Sequence, residues 1–317
     1  MGRRRPCLPH FRADLEEWMD ASSELGEFLK SRRAAVRPEE FGITPHPTRR
    51  RVAGLRREEL AALANVSITH YTRLEQGRTT GASDGLLESI ARTLRLSDDE
   101  TGHMKDLARP RPPGAASSRL TRPPLAQVSA SARQLLAAMA DVPALVLDRR
   151  NDVLAWNRLG HALLAGHLSP EGPGTPETRP NMTRMLFLDE RYRALYANWD
   201  DQAELAVAAL RLVAGRHPDD RSLAELVGQL TMNCDEFASL WARHPVRTCT
   251  SGVKHLRHPL VGAMELSFEN LVIPGSSGQH LIAYTAEPGS PSEAALRLLG
   301  SASVPAASPR PVPSPNR

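Results

Sequence analysis

Cysteine is scarce: Cys7, Cys234 and Cys249 are the only three in 317 residues. An odd, widely spaced set excludes the disulfide framework of a small secreted domain and fits a reducing cytoplasm. No apolar run approaches the roughly 18 residues that a membrane span needs. The opening Met1-Gly2-Arg3-Arg4-Arg5-Pro6 leads into no apolar signal core and has no Ser or Thr at position 6 for myristoylation, so no membrane partner is expected. There is no nucleophile elbow, phosphate-binding glycine loop or dinucleotide fingerprint, and neither catalysis nor a cofactor is expected. Cys249, His255 and His258 form a Cys-x5-His-x2-His run, but without a fourth ligand or a recognised zinc spacing no metal is expected. Lysine is nearly missing too, limited to Lys30, Lys105 and Lys254.

What is present is arginine, and its placement matters more than its number. The net charge is +4, yet between Lys30 and Arg78 eleven basic side chains face only five acidic ones. A stripe of that sign suits a polyanion. Prolines number 26 against 4% aromatics, which points to several loops or linkers in an otherwise ordinary composition of 41% hydrophobic and 24% charged residues.

The length predicts two compact domains. From about 24 to 108 the apolar residues recur at three- and four-residue spacing, as in consecutive short helices. Residues 109–124 carry prolines at 110, 112, 113, 123 and 124 and read as a linker. From 125 the pattern becomes mixed. A helix is expected near 129–140, a hairpin from runs at 144–148 and 153–156, helices at 202–214 and 221–230, and strands at 263–268 and 280–284. A last helix is capped by Ser290, with Pro291 at its first position and Glu293 closing a capping box, and ends near 300. Residues 301–317 are rich in Pro and Ser and are expected to be disordered. The predicted class is α+β: an N-terminal all-α bundle over 19–108 and a C-terminal α+β domain over 125–300.

The strongest local signal lies between Arg57 and Gly77. Leu60, Ala64, Val66, Tyr71 and Leu74 fall where two short, steeply crossing helices bury side chains against each other, and Ala61 is small at their closest approach. Asn65 occupies the tight turn, where Asn tolerates a left-handed backbone. Ser67 is placed to cap the second helix and Gly77 to end it. Ile68, Thr69, His70, Thr72, Arg73 and Gln76 are then left outward, with Ser67 beside them. In this motif the start of the second helix meets base edges, and the start of the first lies along the phosphates, where Arg57 stands. Arg49, Arg50 and Arg51, close to Arg57, read as a phosphate clamp, with a solvated charge run as the competing role. Two further helices, 83–94 and 97–108, complete the bundle, the latter with Ser97 and Glu100 as a capping box. Arg56 stands where a capping Ser is usual, so Gly54 or water is left to satisfy that helix end.

The stretch ending in Leu74-Glu75-Gln76-Gly77 resembles the phage-repressor (Cro/cI, or Xre) helix-turn-helix. Separated blocks at 25–29 (LGEFL), 54–59 (GLRREE), 71–77 (YTRLEQG), 184–189 (RMLFLD), 215–220 (GRHPDD), 258–262 (HPLVG) and 286–291 (AEPGSP) resemble, in the same order, actinobacterial regulators with an MmyB-like ligand-binding domain. The resemblance implies a transcription regulator of operator DNA with a PAS-like C-terminal fold, a small antiparallel sheet flanked by helices around a pocket for a fatty-acyl or other mainly apolar molecule. It also makes Met19-Asp20 look like the usual start, with 1–18 as a nonstandard extension. Trp156, Phe187, Tyr196, Trp199 and Trp241 are the large side chains able to line such a cavity, with core packing the competing role for each. Lys254 and His258 are candidates for an acidic head group, against a surface charge and a satisfied loop histidine. A homodimer on a near-palindromic operator is the expected assembly. The alternative is a C-terminal domain that binds proteins and no small ligand.

Overall fold

A computed structural model describes residues 21–43, 54–78, 82–109, 127–176 and 178–302. The expected extension at 1–18, the three arginines at 49–51, most of the linker and nearly all of the tail lie outside these residues. In chain order the elements are α1 (Ala21–Ala35), a short 3-10 turn (Pro38–Phe41), α2 (Arg57–Leu63), α3 (Ile68–Glu75), α4 (Asp84–Thr93), α5 (Asp98–Ala108), α6 (Ala130–Ala138), β1 (Ala144–Leu147), β2 (Val153–Trp156), α7 (Arg158–Ala165), α8 (Met182–Leu188), α9 (Glu190–Ala194), α10 (Trp199–Arg216), α11 (Arg221–Asn233), α12 (Asp235–Ala242), β3 (Ser251–His258), β4 (Gly262–Val272), β5 (His280–Thr285) and α13 (Pro291–Ala302). The class is α+β, as the pattern predicts.

The described residues divide into two compact units: those up to 109 with 200–249, and those from 127 to 199 with 250–302.

In the first unit, α1 contributes Leu25, Phe28 and Leu29, α2 Leu60 and Ala61, α3 Tyr71 and Leu74, α4 Leu87, Ile90 and Ala91, and α5 Met104 and Leu107 to one core. Each set follows the three- and four-residue spacing of a helix with one apolar stripe. Two glycines explain sequence blocks that periodicity cannot. A Cβ at Gly26 would lie 2.3 Å from the carbonyl oxygen of Glu75, and one at Gly54 would lie 2.2 Å from that of Arg33. The backbones meet there without a side chain between them. Residues 200–249 join this unit through charged side chains. Arg216 donates to Asp106 at 3.2 Å, the Thr248 N–H to Asp99 at 2.7 Å, and Arg211 to Glu24 at 3.0 Å.

The second unit is built on one antiparallel sheet in the order β2-β1-β5-β4-β3. β1 is buried along its whole length, with α6 supplying Ala132 and Leu136 and the preceding Val128 to the core that also holds Ala144, Val146, Leu154 and Leu281. α7 passes so close to β1 that a Cβ on Gly160 would sit 2.5 Å from the Ala144 carbonyl oxygen. α13 packs on α7 and β4. Its start meets half of the expected box: Ser290 accepts the Glu293 N–H at 3.2 Å, but the Glu293 carboxylate takes the Gly289 N–H at 2.8 Å and not that of Ser290. The sequence reading missed β3. Along Ser251–His258 only Leu256 and His258 are buried, and polar side chains fill most of the exposed positions, so no apolar run marks the strand.

Candidate nucleic-acid interface

The two helices α2 and α3 are locked by the residues the pattern selects. Leu60, Ala61, Ala64, Tyr71 and Leu74 are all at most 2% exposed, while Val66 is half-buried. Asn65 adopts φ 53°. The Val66 N–H then closes on the Ala61 carbonyl at 2.9 Å and the Asn65 N–H on that of Ala62 at 3.2 Å. This pair of bonds is a Schellman ending, which needs a left-handed residue at the turn. The same arrangement ends α3: Gly77 has φ 67°, with the Arg78 N–H on Arg73 at 2.8 Å and the Gly77 N–H on Leu74 at 3.1 Å. Both turn residues therefore do what their side chains suggest.

One capping expectation needs correction. Ser67 is at the N-cap position of α3, with φ −63° and ψ 128°, but its hydroxyl accepts no backbone hydrogen bond. At α2, where Arg56 holds the cap position, the Glu59 carboxylate accepts the Arg56 N–H at 2.7 Å. A glutamate three residues into a helix can do this whatever side chain sits at the cap.

With the apolar stripe turned in, Ser67, Ile68, Thr69, His70, Arg73 and Gln76 are exposed and Thr72 is half-buried. Thr69, Arg73 and Gln76 follow one another at four- and three-residue spacing and share the middle of the outward face. An open hollow of about 440 Å³ adjoins the turn, lined by Asn65, Ser67, Ser89 and Arg92 among others.

Arg57 is at the exposed start of α2, as expected, but it is not a lone cation. Its guanidinium pairs at 3.0 Å with Glu75, whose side chain is 1% exposed. Arg33 of α1 grips both oxygens of the same carboxylate, at 3.1 and 2.8 Å, and donates its remaining nitrogen to the Leu55 carbonyl at 2.6 Å. Burial is the largest influence on Glu75 and would raise its pKa, but the bonds and charge of Arg33, aided by Tyr71 and Arg57, outweigh it and hold the carboxyl below its ordinary value. Arg33 shows the converse, with burial outweighed by Glu75 so that its pKa is raised. The buried Arg33–Glu75 pair was missed in the sequence. Its signal was a glutamate one residue after Leu74, on the buried side of α3.

The candidates for a ligand pocket fall in both units. Trp241 belongs to the first, where it is 3% exposed, stacks on Phe237 at 5.7 Å and lies under the Arg211 guanidinium at 4.0 Å. The other six belong to the second. Phe187 and Trp199 meet edge-on at 5.8 Å, the Trp199 indole N–H donates to the Leu186 carbonyl at 2.9 Å, and Arg193 lies over its ring at 3.6 Å. The Tyr196 hydroxyl bonds that of Tyr192 at 2.8 Å, and burial pushes the Tyr196 phenol up to about 12. Tyr192, 1% exposed, was not singled out from sequence. Trp156 donates to the Pro170 carbonyl at 2.8 Å and packs on His161 at 4.8 Å. Lys254 lies over the Phe268 ring at 4.4 Å. His258 is 6% exposed; its Nε2 meets the Ala162 carbonyl at 3.1 Å and its Nδ1 accepts the Leu260 N–H at 3.3 Å. Burial lowers its pKa and favours this neutral, bonded ring. Among the described residues no His, Cys, Asp or Glu cluster is placed to hold a metal ion, and no helix is long and apolar enough to cross a membrane.

Two family models match the chain. A helix-turn-helix domain covers residues 24–104, and the MmyB-like transcription regulator ligand binding domain covers residues 128–299, more than half of the sequence. The second describes a domain of transcription regulators. No curated protein matches the chain.

Proposed function

The chain belongs to the MmyB-like transcription regulator family, a DNA-binding domain joined to a ligand-binding domain, and from that premise we propose that it reads operator DNA in the cytoplasm through α3 as a homodimer. The observation that carries the reading is the uncovered polar row of Thr69, His70, Arg73 and Gln76 on a helix whose opposite side is buried. A helix so presented fits the major groove. Two copies about 34–36 Å apart would meet successive grooves of a near-palindromic site. Arg73 is the base-reading residue, since a guanidinium matches the O6 and N7 of guanine. Arg57, Ser67 and Thr72 flank it, and Arg49, Arg50 and Arg51 supply phosphate contacts. This is the phage-repressor (Xre) mode of binding that the sequence resembles.

The ligand of the second domain is proposed to be small and mainly apolar, fatty-acyl in type, bound near Trp156, Phe187, Tyr196 and Trp199, with coupling to DNA affinity of about 1–3 kcal/mol. A second reading, a protein-binding module without a small ligand, draws on the fact that each of these side chains already has a partner within the protein. Native mass spectrometry of gently purified protein separates the two: a bound small molecule supports the first, and its absence supports the second.

The DNA reading is tested by titrating a selected duplex. Arg73→Ala should weaken binding by about 1–3 kcal/mol and relax the preference at one operator position. An equal loss on every sequence would make Arg73 a phosphate contact. Affinity should also fall steeply with salt, because releasing counterions gains less entropy as the bulk salt rises.

A further inference from the structure

Ile68 opens α3 with its side chain 47% exposed, in a row that is otherwise hydroxyl, imidazole, guanidinium and amide. Scattered exposed aliphatics are ordinary on protein surfaces. This one differs by position, because it stands on the first turn of the helix, the part that meets base edges in this motif. Its neighbours do not recruit it into the fold. Tyr71 and Leu74 fill the core below, Ser67 makes no cap bond, and Thr69 begins the outward face. A branched aliphatic side chain there gives helix α3 no cap and is left 47% exposed.

The chemistry of the groove supplies the missing partner. The edges of the four base pairs display donors and acceptors, and one apolar group, the C5-methyl of thymine. Ile68 can pair with that methyl and with no other feature. We propose that Ile68 is a specificity-determining residue that selects a thymine in the operator by packing on its methyl group, a few base pairs from the guanine read by Arg73. The inference rests on the DNA-binding reading above and adds to it a base identity and the side chain responsible.

The test uses the full chain. A duplex is selected from a randomised library, and its thymines are then replaced singly by deoxyuridine, which removes the methyl and leaves every hydrogen-bonding edge intact. For the wild-type protein one such replacement should weaken binding about fourfold, the value of one buried methyl group. Ile68→Ala, which folds because the side chain is exposed, should bind the thymine and deoxyuridine duplexes equally. A second selection with Ile68→Gln should lose the thymine. The inference is overturned if no deoxyuridine matters, or if Ile68→Ala keeps the wild-type loss. Loss of the effect in Thr69→Ser alone would assign the methyl to Thr69 and likewise overturn it. Failure to enrich any duplex would bring down the DNA reading itself, a result distinct from all of these.

Discussion

Among the described residues of the first unit, Arg33 and Arg211 are buried, each opposite a glutamate, and the two pairs are balanced differently. Arg33 reaches both oxygens of Glu75, which is 1% exposed, and the attraction outweighs burial at both ends: the carboxyl falls and the guanidinium rises from their ordinary values. Arg211 makes a single 3.0 Å contact with Glu24, whose side chain is 22% exposed. There burial prevails. It brings the guanidinium down to about 10 and raises the Glu24 carboxyl, each against the pull of its partner. The Arg211 Nε has no hydrogen-bond partner. The first pair holds α1 to α3 within the DNA-reading bundle. The second attaches residues 200–249, which belong to the match with the ligand-binding domain, to α1. A bidentate pair with its remaining donor satisfied resists distortion, whereas a desolvated, singly bonded pair is the weaker element of the unit.

That contrast is sharpest under mutation. Glu75→Gln strands Arg33 in the core without a counter-charge and should cost about 3–5 kcal/mol of stability, read from urea denaturation, with DNA binding lost in parallel. Arg211→Met should cost less, about 1–2 kcal/mol, since its stem still packs on Trp241 and the partly exposed Glu24 can be hydrated or take up a proton. If Arg211→Met proves as damaging as Glu75→Gln, the two pairs are equivalent and the contrast fails. A smaller loss than predicted for both would mean that water reaches Arg33.

How far these sites could be read from sequence follows from the distances involved. The helix-turn-helix was legible down to Asn65 and Gly77 because its signals are local: apolar spacing, a left-handed turn residue and a helix stop lie within about twenty positions of one another. The cap at Ser67 failed because residue type gives the place of a cap but not the rotation of its hydroxyl. Glu75 stood in the motif yet its partner Arg33 lies 42 residues earlier, and nothing in the intervening chain announces the pairing. Arg211 and Glu24 are 187 residues apart, beyond any pattern a linear reading can use. For the same reason the attachment of 200–249 to the N-terminal helices was not foreseen. Among the aromatic candidates Trp241 lies in a different unit from the rest, because rings mark interiors without saying which interior.

The smallest change at pH 7 belongs to the two histidines beside Arg211. His103 is 2% exposed and neither ring nitrogen has a partner; the Nδ1 of His244 also has none. Burial, then the positive charge of Arg211 together with Arg32, and for His103 also the nearby His244 and Arg216, lower both pKa values from 6.5 to about 3. The folded state therefore holds both rings neutral while the unfolded chain takes up protons below pH 6.5. Stability from these groups is present above that value and is lost as pH falls from about 6.5 towards 3, with a slope approaching about 1.4 kcal/mol per pH unit for each ring. Arg33 and Glu75 show no such dependence in the upper part of that window, because the Glu75 carboxyl remains ionised there. His103→Leu removes a buried group that bonds to nothing, so it should raise stability at pH 7 by about 1 kcal/mol and flatten the difference between pH 7 and pH 5.5. Urea midpoints of the wild type and variant at the two pH values measure both effects. A destabilised variant with an unchanged slope would show that His103 is held by bonds to water, and that this joint is as well satisfied as the Arg33 pair.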